Sequence, residues 1–255
     1  MRLCRPLGLM GLFAGILLIS AWQSAPQPAQ PAPRTLPPPP VAEDVFNNIK
    51  VLQGSSAADV IPTMVQIGNT LGVDCAYCHV PHEWANDQKP PKETTRKMFD
   101  MLGYINTAFF PQQRKVSCWA CHRGQPKPEQ YKNDDEATAR VAKLINLAPG
   151  SEEKPSQEVF KNIQKLKGVP AGRFPRIMQM FSVSLGVRCS QCHVPGEWAR
   201  DDKPDKQRAR EMLSMAASIL GKYYNGNGPV GCFTCHHGVL KPALEAAKPA
   251  SAAGS

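Results

Sequence analysis

Cys75-Ala76-Tyr77-Cys78-His79 is the stretch that decides the fold, because its pattern occurs four times in the 255-residue chain. The other copies are Cys118-Trp119-Ala120-Cys121-His122, Cys189-Ser190-Gln191-Cys192-His193 and Cys232-Phe233-Thr234-Cys235-His236. Together they use all but one of the 9 cysteines and four of the 6 histidines. Because chance would give only about 0.007 such motifs in this composition, the four copies are not accidental.

Cys-x-x-Cys-His is the attachment motif of c-type haem. Two thiols one helical turn apart can form thioether bonds to the two vinyl groups, and the adjacent histidine is then delivered to the iron as proximal ligand. The motifs therefore predict four covalently bound haem c groups. The predicted attachment residues are Cys75, Cys78, Cys118, Cys121, Cys189, Cys192, Cys232 and Cys235, and the predicted iron ligands are His79, His122, His193 and His236.

Three other uses of a Cys-x-x-Cys pair explain these motifs less well. A redox dithiol occurs once, in a thioredoxin-like βαβ context, and not four times in helical repeats. Zinc half-sites need no histidine directly after each pair, and disulfides at this spacing would be strained small rings.

The chain repeats itself at an offset of 114 residues, without a gap. For example, Leu71-Gly72-Val73 recurs as Leu185-Gly186-Val187, and Glu83-Trp84-Ala85 recurs as Glu197-Trp198-Ala199. The duplication predicts a dihaem unit over 45–130, a connector over 131–158 and a second dihaem unit over 159–242.

Apolar periodicity predicts helices in both units. Val60, Met64, Ile67 and Leu71 recur at i, i+4, i+7 and i+11 and are followed by Gly72, and the same face recurs from Phe174 to Leu185. A second helix is predicted from about Thr94 to Asn106, with a copy around Met212, Met215 and Ile219, and a short helix near Ala137 to Leu147 in the connector. No strand pattern is evident. The predicted fold is mostly α: a multihaem cytochrome c of two tandem dihaem helical repeats with long loops.

Methionines on these helices are candidates for the sixth iron ligand. Met64 and Met178 stand 11 residues before the first cysteine of a motif, and Met98 and Met212 stand 20 residues before one. From periodicity alone, filling of the apolar core explains them equally well.

Other methionines and histidines are also candidates for the sixth ligand. Met101 and Met215 share the helix face of Met98 and Met212 and remain alternatives, whereas Met180, His82 and His237 are interpreted as non-ligands because the repeat does not preserve them.

The N-terminus is interpreted as a targeting segment. Arg2 and Arg5 precede an apolar run from Leu7 to Ile19, which predicts a signal peptide or N-terminal anchor over 1–21. Cys4 precedes that run, whereas a lipid-anchor cysteine would follow it. A Pro-rich spacer is predicted over 22–44 and a disordered tail over 243–255. We therefore expect an exported protein on the periplasmic side, soluble or held at the inner membrane by an uncleaved N-terminus.

Composition narrows the class of protein. An apolar fraction of 42% and a charged fraction of 20% exclude a fully disordered chain and a polytopic membrane protein. The net charge of +9 would suit nucleic acid, anionic lipid or an acidic partner. Two propionates on each of four haems would offset nearly all of it, so we expect no nucleic-acid partner.

The chain resembles the tetrahaem cytochrome c subunit of photosynthetic reaction centres over both units. The resemblance rests on Val45-Phe46-Asn47-Asn48-Ile49-Lys50-Val51-Leu52, on Met64 ahead of Cys75-Ala76-Tyr77-Cys78-His79-Val80-Pro81, on Arg96-Lys97-Met98-Phe99-Asp100-Met101 with Ile105-Asn106, and on Cys118-Trp119-Ala120-Cys121-His122-Arg123-Gly124. In that family the first methionine of the Met-x-x-Met pair is the ligand. The resemblance therefore selects Met64, Met98, Met178 and Met212.

The sequence departs from the photosynthetic members at three points. They bind the fourth haem with a histidine from a loop that corresponds to Thr107–Val116, where this chain has none, so four His/Met haems are expected. They also carry a long insertion between the units, and a lipid-anchor cysteine that this sequence lacks. These departures leave the redox partner open.

The resemblance implies an electron-transfer protein and not an enzyme. The expected function is an exported tetrahaem c-type cytochrome that carries electrons through His/Met-ligated haems, and it resembles the reaction centre subunit that re-reduces a photo-oxidised pigment. Its partners would be a reaction centre or a respiratory membrane complex and a small soluble carrier, with membrane association compatible with the N-terminus. The alternatives are a carrier of a non-photosynthetic respiratory chain and a multihaem reductase or peroxidase, which would need one iron with an open position.

Overall fold

The computed structural model describes residues 37–112 and 116–246, and these residues are helical with long loops. The α-helices are α1 (Ala42–Val45), α2 (Ala57–Leu71), α3 (Cys75–Cys78), α4 (Pro90–Ala108), α5 (Trp119–His122), α6 (Asp135–Ile145), α7 (Ser156–Val159), α8 (Phe174–Leu185), α9 (Pro204–Tyr224) and α10 (Cys232–His236), with 3₁₀ turns at Ala171–Arg173 and Cys189–Gln191. Within the described residues, pairing of extended backbone is limited to isolated β-bridges. The predicted mostly α fold class is confirmed.

The helix before the first motif of each repeat ends at a glycine with positive φ. Gly72 (φ +65°) closes α2, and its equivalent Gly186 (φ +61°) closes α8. A β-carbon on Gly72 would overlap the carbonyl group of Gly124, just after the second motif. The Gly124 N–H also donates to the Thr70 carbonyl at 2.8 Å. The end of α2 therefore fixes the position of the second motif in its repeat.

Helix α4 begins at Pro90, earlier than the predicted start near Thr94, and proline occupies the first turn of both α4 and α9. They pack against each other. The hydroxyl groups of Tyr104 and Ser218, which are equivalent in the repeat, are hydrogen-bonded, and the Tyr223 hydroxyl donates to Asp100 at 2.7 Å. Contact between equivalent residues means that a pseudo-twofold axis passes between α4 and α9.

The connector also forms a helix, as predicted. Asp134 accepts a hydrogen bond from the Ala137 N–H at 2.9 Å, so α6 starts two residues before the predicted boundary. Helix α6 packs against α8, and the Tyr131 hydroxyl donates to the buried side chain of Gln179. The connector thereby covers one side of the second repeat.

The described chain from Pro39 onward is one compact unit to which both repeats contribute. Its buried apolar core, as far as the structure describes it, is only Ala42, Val60, Leu71, Ala120, Ala171, Phe174 and Ile219. So small a core leaves space between the helices for other groups. In ranges 37–112 and 116–246 no helix is long and apolar enough to cross a bilayer.

Several predicted boundaries lie at or beyond the edges of the described chain. The predicted signal or anchor over 1–21, most of the spacer over 22–44 and most of the tail over 243–255 fall outside the described residues. Helix α1 occupies the end of the segment assigned to the spacer. The boundaries of the two dihaem units remain predictions.

Candidate haem-binding sites

The four Cys-x-x-Cys-His motifs lie on single helical turns. They form α3, α5, the 3₁₀ turn Cys189–Gln191 and α10. In the first motif the Asp74 side chain caps α3 by accepting from the Tyr77 N–H at 3.0 Å. All eight motif thiols are free. Each motif thus offers two unpaired sulfur atoms about one turn apart, as thioether attachment requires.

Every motif histidine is held by a backbone carbonyl a few residues further along the chain. The Nδ1 atoms of His79, His122, His193 and His236 lie 3.0, 2.9, 3.1 and 3.1 Å from the carbonyl oxygens of Trp84, Gln125, Trp198 and Val239. Because a carbonyl can only accept, Nδ1 must carry the proton in each ring. Nε2 then keeps its lone pair, which is the arrangement of a metal-binding histidine with its supporting hydrogen bond.

Burial keeps three of these rings neutral. It is the largest cause of the lowered pKa of His122, His193 and His236. A neutral imidazole can bind iron, whereas an imidazolium cannot. The ionisation of these rings is therefore compatible with ligation near neutral pH.

The first motif opens onto a cavity of about 340 Å³ between α2, α3 and α4. Cys75, Cys78 and His79 line one side of it, and Met64 on α2 lines it too. The ring of Trp84 meets that of His79 edge-on, with 5.8 Å between centroids. The structure thus brings Met64 into the same cavity as the motif that it was predicted to serve.

The third motif opens onto a larger cavity, of about 600 Å³. Cys189, Cys192 and His193 line it together with Met178 on α8, and Trp198 lies against His193 as Trp84 does against His79. The two cavities are equivalent in the repeat. Each combines two thiols, an oriented histidine and a thioether, the donor set of a His/Met haem c site.

Met98 and Met212 lie outside these two cavities. Helix α4 lines the first cavity with Lys92, Thr95, Arg96 and Phe99, and α9 lines the other with the equivalents Lys206, Ala209, Arg210 and Leu213. At about 100° per residue, Met98 and Met212 fall roughly 120° away from the centre of that lining face. They and their neighbours Met101 and Met215 belong to a second face of each helix, consistent with a role at the second motif of each repeat.

The second motifs of the two repeats meet at the pseudo-twofold axis. The sulfur atoms of the equivalent residues Cys121 and Cys235 lie 2.7 Å apart, and α5 packs against α10. A disulfide bond would be near 2.05 Å, so the two thiols are in contact but not bonded. This contact and burial raise the pKa of the Cys121 thiol.

Two polar side chains beside this contact were not recognised as site residues from the sequence. Arg123 and His237 follow the second motifs directly and have positive φ, +46° and +48°. Two guanidinium nitrogens of Arg123 and Nε2 of His237 are buried without a hydrogen-bond partner among the described residues. Buried polar groups are rarely left unpaired. The sequence did contain one signal for them: both residues directly follow the second motif of a repeat.

The remaining sequence candidates are placed differently. His82 is exposed in a turn with φ +65° and does not line the first cavity. Met180 does not line the second.

Taken together, the residues fit haem. Free thiols, Nδ1-anchored histidines and methionine-lined cavities supply the attachment and ligand atoms, and the unpaired Arg123 and His237 groups could receive propionates.

Comparison with known proteins identifies the family that the chain resembles. A family model described as the photosynthetic reaction centre cytochrome C subunit matches residues 15–148 and 133–247. The subunit "Photosynthetic reaction center cytochrome c subunit" of Thermochromatium tepidum is 26% identical over 86% of this chain, and that of Rubrivivax gelatinosus is 27% identical over 84%. The chain spans 65% and 73% of their respective lengths. "Cytochrome c-554" of Chloroflexus aurantiacus is 34% identical over 31% of this chain and 20% of its own.

Proposed function

The chain belongs to the photosynthetic reaction centre cytochrome c subunit family, and on that premise we propose that it is an exported tetrahaem c-type cytochrome that carries electrons. Each Cys-x-x-Cys-His motif holds one haem c, and each iron has a histidine and a methionine as axial ligands. When bound, the haems supply iron that cycles between two oxidation states; the chain attaches and orients them and limits the access of water.

The observation that carries this proposal is that a methionine and a motif histidine line the first cavity together. Met64 and His79 line the same space, and the Nδ1 atom of His79 is anchored at 3.0 Å to the Trp84 carbonyl. The arrangement recurs around Met178 and His193. An iron with both axial positions filled has no place for a substrate, which favours electron transfer over catalysis.

The ligands of the other two haems are proposed as Met98 and Met212. Met101 and Met215 lie one turn before Tyr104 and Ser218, whose hydroxyl groups bond α4 to α9. Side chains at i and i+3 share a helix face, so the second methionine of each pair belongs to the helix contact. Met98 and Met212 lie about 120° around the helix from Tyr104 and Ser218, twice as far as Met101 and Met215, and this supports the assignment of the first methionine.

The order of the haems follows from the axis between the repeats. Cys121 and Cys235 would each bond a different porphyrin, and their sulfur atoms are in contact. We therefore place the second haem of each repeat side by side at the centre. The first haems, in the cavities of Met64 and Met178, form the two ends of the path.

The electron acceptor is proposed from the family. Its printed names connect its members with photosynthetic reaction centres, so we propose a reaction centre, with a small soluble carrier as donor. The compact connector, residues 131–158 with helix α6, favours a respiratory membrane complex as the second candidate.

The test uses the purified holoprotein. We expect four haems per chain, low-spin ferric spectra for all of them and no rapid binding of carbon monoxide after reduction. Oxidation on flash excitation of an added reaction centre would support that acceptor, and its absence would favour the respiratory one. A high-spin ferric signal or rapid carbon monoxide binding would contradict the carrier and indicate a multihaem enzyme.

A further inference from the structure

We propose that Lys92 and Lys206 are positioning residues that raise the reduction potential of the first haem of each repeat, by sharing the carbonyl that anchors its proximal histidine. The inference rests on the proposed function and concerns the side of the histidine opposite the iron. Neither lysine stood out in the sequence.

Lys92 occupies a fully satisfied site in the first repeat. Its Nζ donates to the Trp84 carbonyl at 2.8 Å and to the Asn86 carbonyl at 2.9 Å, and it pairs with Asp87 at 3.1 Å. These are three partners for the three protons of an ammonium group. Only 11% of the side chain is exposed. The Trp84 oxygen also accepts from His79, so both of its lone pairs are in use.

Lys206 repeats this arrangement in the second repeat. Its Nζ donates to the Trp198 carbonyl at 2.9 Å and to the Arg200 carbonyl at 2.6 Å, and it pairs with Asp201 at 3.0 Å. Its side chain is also 11% exposed. The same three contacts at equivalent positions show that this is a built feature of the first site of each repeat.

The second sites lack this lysine. His122 and His236 are anchored to the carbonyl oxygens of Gln125 and Val239, and neither oxygen accepts from a cationic side chain among the described residues. Each repeat therefore contains one proximal histidine whose acceptor is shared with an ammonium group and one whose acceptor is not.

The physical effect follows from the hydrogen bond on Nδ1. A carbonyl that accepts from Nδ1–H makes the imidazole a stronger electron donor to the metal. A lysine on the same oxygen withdraws electron density from it and weakens that effect. A less donating histidine stabilises Fe(III) less, so the potential of the haem rises.

The experiment compares Lys92→Met with Lys50→Met in the holoprotein. Lys50 also lines the first cavity and binds Asp87 at 2.9 Å, but it does not contact the Trp84 carbonyl. It therefore controls for the loss of one positive charge near the haem. The measurements are a spectroscopically monitored redox titration and the proton resonance of the histidine Nδ1–H, with its rate of exchange with solvent.

We expect Lys92→Met to lower the potential of one haem, to shift one Nδ1–H resonance and to slow its exchange. Lys206→Met should do the same at a different haem. Lys50→Met should leave every Nδ1–H resonance in place, and Lys92→Arg, which keeps a cationic donor, should restore most of the original potential. Equal shifts in Lys92→Met and Lys50→Met, or an unmoved resonance in Lys92→Met, would overturn the inference.

The wild-type spectra separate this inference from the proposed function. If four low-spin haems are present and Lys92→Met moves nothing, only the role of the lysine fails. If the wild-type protein lacks those haems, the proposed function itself fails. Should Lys92→Met not incorporate haem, Lys92→Gln supplies the same comparison, with a smaller shift in the same direction expected.

Discussion

Gly72 lies so close to Gly124 that a β-carbon on Gly72 would overlap the Gly124 carbonyl oxygen. One residue closes the helix that carries Met64, and the other follows the second haem motif. The helix of the proposed ligand Met64 and the loop after the second motif are thus in direct backbone contact, so strain at one site should be felt at the other.

Substitution of Gly72 by alanine should destabilise the holoprotein. The left-handed φ of +65° and the overlap with a backbone carbonyl together should lower the free energy of unfolding by about 3 kcal/mol. Denaturant unfolding measures this. Gly103→Ala is the control, because an added β-carbon at Gly103 in α4 meets nothing within 4 Å beyond the adjacent backbone of its own helix. Equal stability of the two variants would contradict the close approach.

Replacement of Met64 by alanine should remove one His/Met ligand set. Because a methionine ligand raises the reduction potential of a haem, its loss should lower the potential of that haem. Met178→Ala should do this at a different haem. Near-infrared and electron paramagnetic resonance spectra report the ligands. Met180 lies on α8 with Met178 but does not line the cavity, so Met180→Ala should leave all four ligand sets intact.

The assignment of the second haem ligands can fail separately. Met212→Ala should remove one low-spin His/Met signature and lower one potential, and Met98→Ala should act on another haem. Met101→Ala should leave the four ligand sets unchanged. Unchanged spectra in Met212→Ala would transfer the role to Met215.

Attachment of haem should be needed for the tertiary structure. The described chain buries only seven apolar side chains, so the polypeptide alone has little to oppose the loss of conformational entropy. Protein produced without haem attachment should show no cooperative thermal unfolding by circular dichroism and rapid amide exchange. A sharp transition near that of the holoprotein would mean that the apolar core suffices.

Acid should weaken the loop that follows the third motif only at low pH. Hydrogen bonds from Arg210 above all hold the pKa of Asp201 well below its usual range. The carboxylate therefore contributes stability above its unfolded pKa of about 3.9, and this is lost as pH falls through the lower folded value. The difference in unfolding free energy between wild type and Asp201→Asn should be constant from pH 7 to about pH 5 and should shrink below about pH 4. Asp44→Asn, at an exposed carboxylate that forms no ion pair within the described residues, is the matched control for removal of one surface charge.

The sequence was sufficient for the features that depend on local pattern. The spacing within each motif predicted thiols on one turn, and the apolar period with Gly72 predicted the end of α2 correctly. The early start of α4 was missed because its apolar period begins only with Met98, whereas its first turn is marked by prolines, which are favoured at that position.

Features that depend on long-range contacts were beyond the sequence. The meeting of Cys121 with Cys235 joins residues 114 positions apart, and periodicity contains no information on which faces of two helices meet. The same holds for Lys92, whose three partners come together only when the loop from Trp84 to Asp87 folds onto α4. Arg123 and His237 differ in residue type, so the repeat concealed their common burial.

The pseudo-twofold axis has a consequence for the direction of current. Two identical chains around such an axis would form a haem path with the same environment at both ends, so neither end would be favoured as the entry or exit of electrons. Covalent duplication removes this degeneracy, because paired positions are free to differ: Lys50 faces the first cavity where Gln164 faces the other, and Arg123 is matched by His237. One polypeptide can therefore keep the close junction of a symmetric dimer and still have a distinct entrance and exit.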